Sequence, residues 1–350
     1  MRGATGGAAD DVGVRRGAPT LEDVASAAGV SRSTASRAIN GEAKVSPRAR
    51  AAVEAAVLQL GFTPNQAART LVTQRTNAVA LVVPEPDERV VADPFFSAAV
   101  QGLSQALADS DLQLVLLMAG LAGSPERAVH YLRHGHVDGA VVVSHHQADD
   151  IERVLVASGM PSVFVGRPWN LPDQLHYVDT DNRRGGELAT EHLIARGRRR
   201  IGTVAGPADM TAAYDRLAGW RSALAAAGLP ADAVEYGDFT TEGGAAAMRR
   251  LLARRPDLDA VFVASDLMAA GALAVLRAAE RSVPGDIAVV GYDDSAVAAV
   301  TDPPLTTVIN PVATMARTAG GILQRWLTDP EPPDRGPVVF PPEMVVRTSA

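Results

Sequence analysis

Residues 20–41 read Thr-Leu-Glu-Asp-Val-Ala-Ser-Ala-Ala-Gly-Val-Ser-Arg-Ser-Thr-Ala-Ser-Arg-Ala-Ile-Asn-Gly. Leu21, Val24, Ala25 and Ala28 follow helical spacing, with Thr20 as N-cap and Glu22 and Asp23 in the first turn, where the helix dipole favours acids. Gly29 ends that helix. Ser31 caps the next, Arg32 to Ile39, which stops at Asn40-Gly41. A tight Ala-Ala-Gly-Val-Ser connection between two short helices is what a helix-turn-helix requires. The second helix carries Arg32, Ser33, Ser36 and Arg37, hydroxyls and guanidinium forks suited to base edges and phosphates, while Ala35 and Ile39 face inward. A third helix, Pro47 to Leu60, puts Val53, Ala56, Val57 and Leu60 on one face and closes a three-helix core.

Charge divides the chain in the same place. Residues 20–75 carry a net +3, residues 1–19 carry +1, and the 350-residue chain as a whole is −7. A small positive module joined to a large acidic body points to one polyanion-binding part and one part with another task. Hydrophobic residues at 47% and charged residues at 21% suit a globular protein of two or three domains. The absence of cysteine excludes disulfides, Cys-ligated zinc and thiol catalysis. Lys44 is the single lysine and stands between Ala43 and Val45, so no Walker A motif is present. G-x-S-x-G and H-E-x-x-H are absent too. No apolar run approaches the roughly 18 residues that cross a bilayer. Residues 1–19, with Asp10, Asp11 and five glycines, lack a signal-peptide core and are expected to be a disordered tail of a cytoplasmic protein.

Beyond residue 76 short apolar strands alternate with amphipathic helices. Strands are predicted at 78–84, 112–118, 139–143, 162–165, 200–204, 260–263 and 287–290. Helices are predicted at 95–108, 126–134, 185–196, 213–227, 243–254 and 266–281. The alternation indicates parallel sheets, and about 270 residues fit two α/β lobes better than one doubly wound sheet. Ligands then bind outside the carboxyl ends of the strands, between the lobes. Phe95 and Phe96 follow the first strand, with at least one expected in the cleft and core packing the alternative for the other. Arg167, Ser265 and Asp293 end strands and Arg216 opens a helix. Aromatic faces pack on sugar C–H surfaces, and charged side chains pair with hydroxyls. The adjacent His145 and His146 make poor joint ligands, and neither a metal nor a cofactor is expected.

Residues 20–41, continued by Lys44-Val45-Ser46 and Gly61-Phe62-Thr63-Pro64-Asn65, resemble the DNA-binding headpiece of the lactose-repressor (LacI/GalR) family, and Asn65 to Leu71 resembles its hinge helix. Ala35, where valine is usual, is a departure that affects packing only. The body resembles the family's periplasmic-binding-protein-like core, through Asp93-Pro94-Phe95-Phe96, Val137-Asp138-Gly139, Asp181-Asn182, Arg216-Leu217-Ala218-Gly219-Trp220, Val290-Gly291-Tyr292-Asp293-Asp294 and Glu343 to Arg347. The resemblance implies a helix-turn-helix domain at 20–64, a hinge helix and linker at 65–76, and a two-lobed core at 77–350 in which the chain crosses between lobes three times. One lobe would span about 77–178 and 310–335, the other about 179–309 and 336–350.

It also implies roles. Arg32 and Ser33 would read bases, Arg37 a base or phosphate, and Thr20, Ser31, Thr34 and Asn40 would position phosphates. Leu71, supported by Asn65 and Ala68, would wedge into the minor groove at the centre of a pseudo-palindromic operator. Asp93, Phe95, Phe96, Arg167, Arg216, Ser265, Asp293 and Asn310 fall at effector-contacting positions. Ser265 stands where asparagine is usual and Asn310 where glutamine is common, so the pocket's location is better marked than its ligand. The expected protein is a homodimeric, nucleoid-associated repressor, not an enzyme and without a membrane partner, and it responds to a small molecule, foremost a sugar. Alternatives are a nucleoside or purine effector, or a solute-binding protein with no regulatory role. No C-terminal heptad tail follows Ala350, and the expectation of a dimer over a tetramer rests on that alone.

Overall fold

The computed structural model describes residues 19–41, 44–63, 75–118, 126–329, 334 and 336–350. The expected tail up to residue 18 and the hinge residues Asn65, Ala68 and Leu71 lie outside the described residues. The chain divides into two units, Met1–Arg75 and Thr76–Ala350.

The first unit holds α1 (Leu21–Ala28), α2 (Arg32–Ile39) and α3 (Pro47–Leu60). Thr20 and Asp23 form a reciprocal capping box at the start of α1, and Gly29 ends it in the left-handed region at φ +65°. Ser31 and Ser46 cap α2 and α3 by accepting from Thr34 N and Ala49 N. Val24, Ala35, Val53 and Ala56 are buried between the helices. Ala35 is fully enclosed, so its small side chain is matched by close approach of its neighbours.

The second unit is built on two sheets. The first combines β1 (Ala78–Val83), β2 (Gln113–Met118), β3 (Gly139–Val143), β4 (Ser162–Val165), β5 (His176–Thr180) and β11 (Val338–Phe340), in the order β11-β5-β4-β3-β1-β2. The second combines β6 (Ile201–Ala205), β7 (Val234–Tyr236), β8 (Ala260–Val263), β9 (Ala288–Asp293), β10 (Thr306–Ile309) and β12 (Met344–Val345), in the order β12-β10-β9-β8-β6-β7. All described pairings are parallel except β10 with β12. The central strands are buried on both faces, which is why β1, β3 and β8 read as unbroken apolar runs. The strand membership requires three crossings between lobes: after β5, after β10 and after β11.

The expected lobe boundaries shift. β5 keeps residues 179–180 in the first lobe, and the return to the second lobe comes after Phe340 rather than at residue 335, because Val338–Phe340 pairs with Val178–Thr180. The sequence signatures have mechanical roles here. Asp138 accepts from Thr76 N, Thr76 Oγ1 and Asn77 N at 2.7–2.9 Å and so anchors the entry to β1. Arg347 donates to Leu305 O at 2.8 Å and Asp294 Oδ1 at 2.6 Å, pinning residues after β12 to the floor of the second lobe.

In the second lobe α8 (Asn182–Ala195) lies against α9 (Thr211–Ala226) at a separation that only glycine permits. A Cβ on Gly186 would stand 2.2 Å from Arg216 O, and one on Gly219 would stand 2.0 Å from Arg183 O. Gly186→Ala must therefore push the helices apart. The expected loss is about 1–3 kcal/mol, in the range of overpacked cores, measured as a lower urea midpoint at unchanged slope.

Candidate ligand cleft and nucleic-acid interface

In the first unit the residues expected at DNA lie on the exposed side of α2 and its N-terminus. Ser31, Arg32, Ser33 and Asn40 are exposed, while Thr34 and Arg37 are partly so. Ser31 Oγ lies 2.9 Å from Ser33 Oγ and 2.8 Å from Thr34 Oγ1, a hydroxyl cluster at a helix N-terminus, where backbone N–H groups and the dipole favour phosphate. Arg37 Nε donates to Ser33 O at 3.1 Å. Arg32 pairs with Glu22 at 2.7 Å, but both side chains are more than half exposed, so the pair is weak and easily exchanged for a phosphate or guanine. Thr20 is exposed, with its hydroxyl engaged by Asp23.

In the second unit a cavity of about 90 Å³ opens between the lobes at the carboxyl ends of the strands. Asp93, Phe95, Arg216, Ser265 and Asp293 line it. An adjoining chamber of about 300 Å³ shares Asp93, Phe95 and Asp293 and is lined also by Asn310. Asp93 caps α5 (Pro94–Leu107) by accepting from Phe95 N at 2.9 Å, and burial pushes its pKa up. Ser265 caps α11 (Asp266–Ala278) by accepting from Met268 N.

Arg216 organises the cleft. Its Nε donates to Asn182 Oδ1 at 2.8 Å, its Nη1 donates to Ala264 O at 2.7 Å, and its guanidinium lies 3.6 Å from the centroid of the Tyr292 ring. Asp293 Oδ1 is 3.7 Å away and also accepts from Asn310 Nδ2 at 3.1 Å. Burial pushes the Asp293 carboxyl up against the opposing pull of Arg216. Asp293 sits at φ +117°, a backbone strain of about 1–3 kcal/mol of the kind found at ligand sites.

Two expected residues are placed differently. Phe96 is 2% exposed and packs into the first lobe's core, meeting Phe95 edge to face at 5.2 Å; only Phe95 reaches the cavity. Successive helical residues point about 100° apart, so one ring of the pair had to turn inward. Arg167 stands at the rim, its Nη2 donating to Asp215 Oδ2 at 2.7 Å, while its neighbour Gly166 forms the cavity wall.

The wall also holds residues outside the expected set, among them Arg89, His145 and Phe239. Phe239 follows β7 at φ +66°, with the guanidinium carbons of Arg89 and Arg216 5.7 and 5.9 Å from its ring centre. The Asp238-Phe239-Thr240 step before α10 (Thr241–Arg254) was the available signal, an aromatic residue beside a helix cap at a strand end. Arg89 Nε and His145 Nδ1 are buried without a hydrogen-bond partner, which leaves two polar atoms in the wall for a polar ligand. Burial holds the His145 pKa down, so its ring is neutral.

His146 ties the lobes together. Its Nε2 is 3.1 Å from Glu85 Oε1 in the first lobe and its Nδ1 2.9 Å from Asp209 Oδ2 in the second. Gln147 N donates to Asp209 O at 2.9 Å, and Thr211 Oγ1 donates to Arg167 O at 2.7 Å. The hydrogen bond to Glu85 pushes the His146 pKa up to about 9, against burial and helped by Asp209.

A helix-turn-helix module and a two-lobed binding core in one chain define a transcriptional regulator rather than an enzyme. Residues 20–65 match the model of bacterial regulatory proteins of the lacI family, and residues 190–350 match that of the periplasmic binding protein-like domain. The chain is 50% identical over 317 residues to the HTH-type transcriptional regulator CelR of Thermobifida fusca, covering 90% of this chain and 93% of that one. It is 35% identical to the ribose operon repressor of Escherichia coli K12, covering 89% and 94% of the two chains. The chain belongs to the lacI family. Among solved structures it resembles a CelR–cellobiose complex (47% identity, TM-score 0.76, 95% and 100% of the chains covered). It also resembles the lac repressor dimer bound to operator and the anti-inducer ONPF (28% identity, TM-score 0.82, 95% and 98% covered).

The His146 clasp gives a pH signature. A histidine whose pKa is raised from 6.5 to about 9 contributes stability that is complete below pH 6.5 and is lost as pH rises through 9. Glu85, Asp209 and Asp149 face the ring, and Arg89 and His145 lie alongside. His146→Gln should flatten the fall of melting temperature between pH 7 and 10; an unchanged slope assigns that fall to other groups.

Proposed function

We propose that the chain is a homodimeric repressor whose grip on a pseudo-palindromic operator is set by a sugar held in the interlobe cleft. The observation that carries the sugar reading is the cavity lining: Phe95 and Phe239 offer aromatic faces beside Arg216, Asp293 and Asp93, the combination that takes C–H surfaces and hydroxyl pairs together. The likeness to CelR, solved with cellobiose, supports a β-linked glucose oligosaccharide as the class. Ser265, a short side chain at the wall, leaves room for hydroxyls. Asn310 would act from the adjoining chamber and Arg167 from the rim.

At the operator, Arg32 and Ser33 read bases, Arg37 contacts a base or phosphate, and Thr20, Ser31, Thr34 and Asn40 bind phosphates. Leu71 wedges at the centre with Asn65 and Ala68 shaping its helix. Two headpieces of a twofold dimer occupy successive major grooves, as the likeness to an operator-bound dimer supports. The sugar acts only through its different affinity for the operator-competent and operator-released states, so operator and sugar weaken each other reciprocally. The setting is the cytoplasm, at the nucleoid; no described helix is long and apolar enough to cross a membrane.

A thermal-shift series on the full chain with cellobiose, glucose, adenosine and guanosine tests the effector. Saturation at 100 Kd adds about 2.7 kcal/mol of stability, so cellobiose should raise the melting temperature. A rise with nucleosides alone overturns the sugar reading in favour of a purine effector. Arg32→Ala should cost about 1–3 kcal/mol at one operator position and relax preference there; a binding-site selection returning the unaltered consensus removes Arg32 from base reading. Arg216→Ala should abolish release of the operator by cellobiose in a mobility-shift assay, and normal release would take Arg216 out of the effector site.

A further inference from the structure

We propose that Trp169 and Tyr214 form an outer saccharide platform at the mouth of the cleft, reading the second ring of an oligosaccharide effector. This assignment rests on the sugar reading above. The two rings come from opposite lobes. Trp169 lies on the loop after β4, Tyr214 in the first turn of α9, and their ring centres are 5.8 Å apart at 78°. Each is a few residues from the cavity wall: Gly166 lines the cavity on one side, Thr211 and Ala212 on the other.

The geometry is that of a positioned pair, not of two rings that happen to meet. Glu152 is 1% exposed, and its carboxylate accepts from Trp169 N, Asn170 N and Leu171 N, each at 2.8 Å. Burying a carboxylate is costly unless its hydrogen bonds are satisfied. Here three consecutive N–H groups satisfy it and fix the loop that carries Trp169. Facing it, Tyr214 is 54% exposed, a large aromatic surface left to solvent in a chain with 4% aromatic residues.

Joining the lobes does not require these rings, because Arg167 and Asp215 already pair at 2.7 Å and Thr211 already donates to Arg167 O. What the rings add is an edge-to-face aromatic pair, with the Tyr214 ring open to solvent, next to a charged pair. That combination binds the C–H face of a pyranose and its hydroxyls at once. The inner cavity around Arg216 and Asp293 then takes one ring, and the aromatic pair takes the next, so the pair reads chain length.

The test uses the full-length protein with cellobiose and glucose, by calorimetry and by tryptophan emission. Trp220 is fully buried and Trp326 packs against His176, so Trp169 is the tryptophan at the aromatic contact between the lobes. Cellobiose should change the emission of the unaltered protein and not that of Trp169→Phe. The double variant Trp169→Ala, Tyr214→Ala should bind cellobiose at least tenfold more weakly and glucose less than threefold more weakly, with circular dichroism confirming the fold. Trp169→Phe, which keeps a ring, should recover most of the cellobiose affinity. Parallel losses for both sugars, cellobiose affinity within threefold of the unaltered protein, or an emission change that persists in Trp169→Phe would overturn the assignment alone. Failure of the unaltered protein to bind either sugar would overturn the sugar reading and this assignment with it.

Discussion

A guanidinium taken out of water has to be matched on every side, and the second lobe is arranged around that requirement at Arg216. The side chain is 4% exposed. An unmatched charge in such a place would cost several kcal/mol. The match is supplied by an amide oxygen, a backbone carbonyl, an aromatic face and a carboxylate, drawn from α8, the end of β8 and β9. The acceptor from α8 and the backbone of Arg216 are fixed in turn. Asn182 is held by Asp179 and Thr180 O, and the backbone of Arg216 is seated against Gly186. The glycines of α8 and α9 thus set the helix distance at which the charge meets its partner on α8.

The same group faces the ligand cavity, so packing and recognition share one scaffold. A side chain fixed from several directions loses little freedom when a ligand arrives, which is how preorganised sites gain affinity. Opposite it the first lobe contributes Arg89 and His145, each with a polar atom lacking a protein partner. One wall is set in advance and the other is left with unused hydrogen-bonding capacity. The headpiece follows a different logic. Its core is made of small residues such as Ala35 and Ala56, and its order depends on caps at every described helix start.

Much of this was legible in the residues. The strands at 139–143, 162–165 and 260–263 were read to the residue, because a strand buried on both faces leaves an unbroken apolar signature. β5 escaped notice because His176, Asp179 and Thr180 interrupt its apolar character, and β7, β11 and β12 are too short to show a period. Helix α13 (Val312–Thr328) lies outside the predicted helices although its buried residues follow a clear helical spacing. At the cleft, charged groups at strand ends were readable from the alternation of elements. Phe239 was not, because it sits in a turn without periodicity. His146 looked like a surface loop residue because its partners lie 61 and 63 positions away in the chain. The ring that turns inward at Phe95-Phe96 depends on helix phase, which adjacent identical residues do not reveal.

The interleaving of the two sheets has a consequence for synthesis. Residues 338–340 complete one sheet and 344–345 the other, and Ser349 donates to Val289 O while accepting from Thr306 N. Neither lobe reaches its full strand complement until this stretch has cleared the ribosome. The nascent core therefore waits with two unfinished sheet edges exposed, and a chain cut before residue 338 would be left with two damaged lobes instead of one intact and one missing.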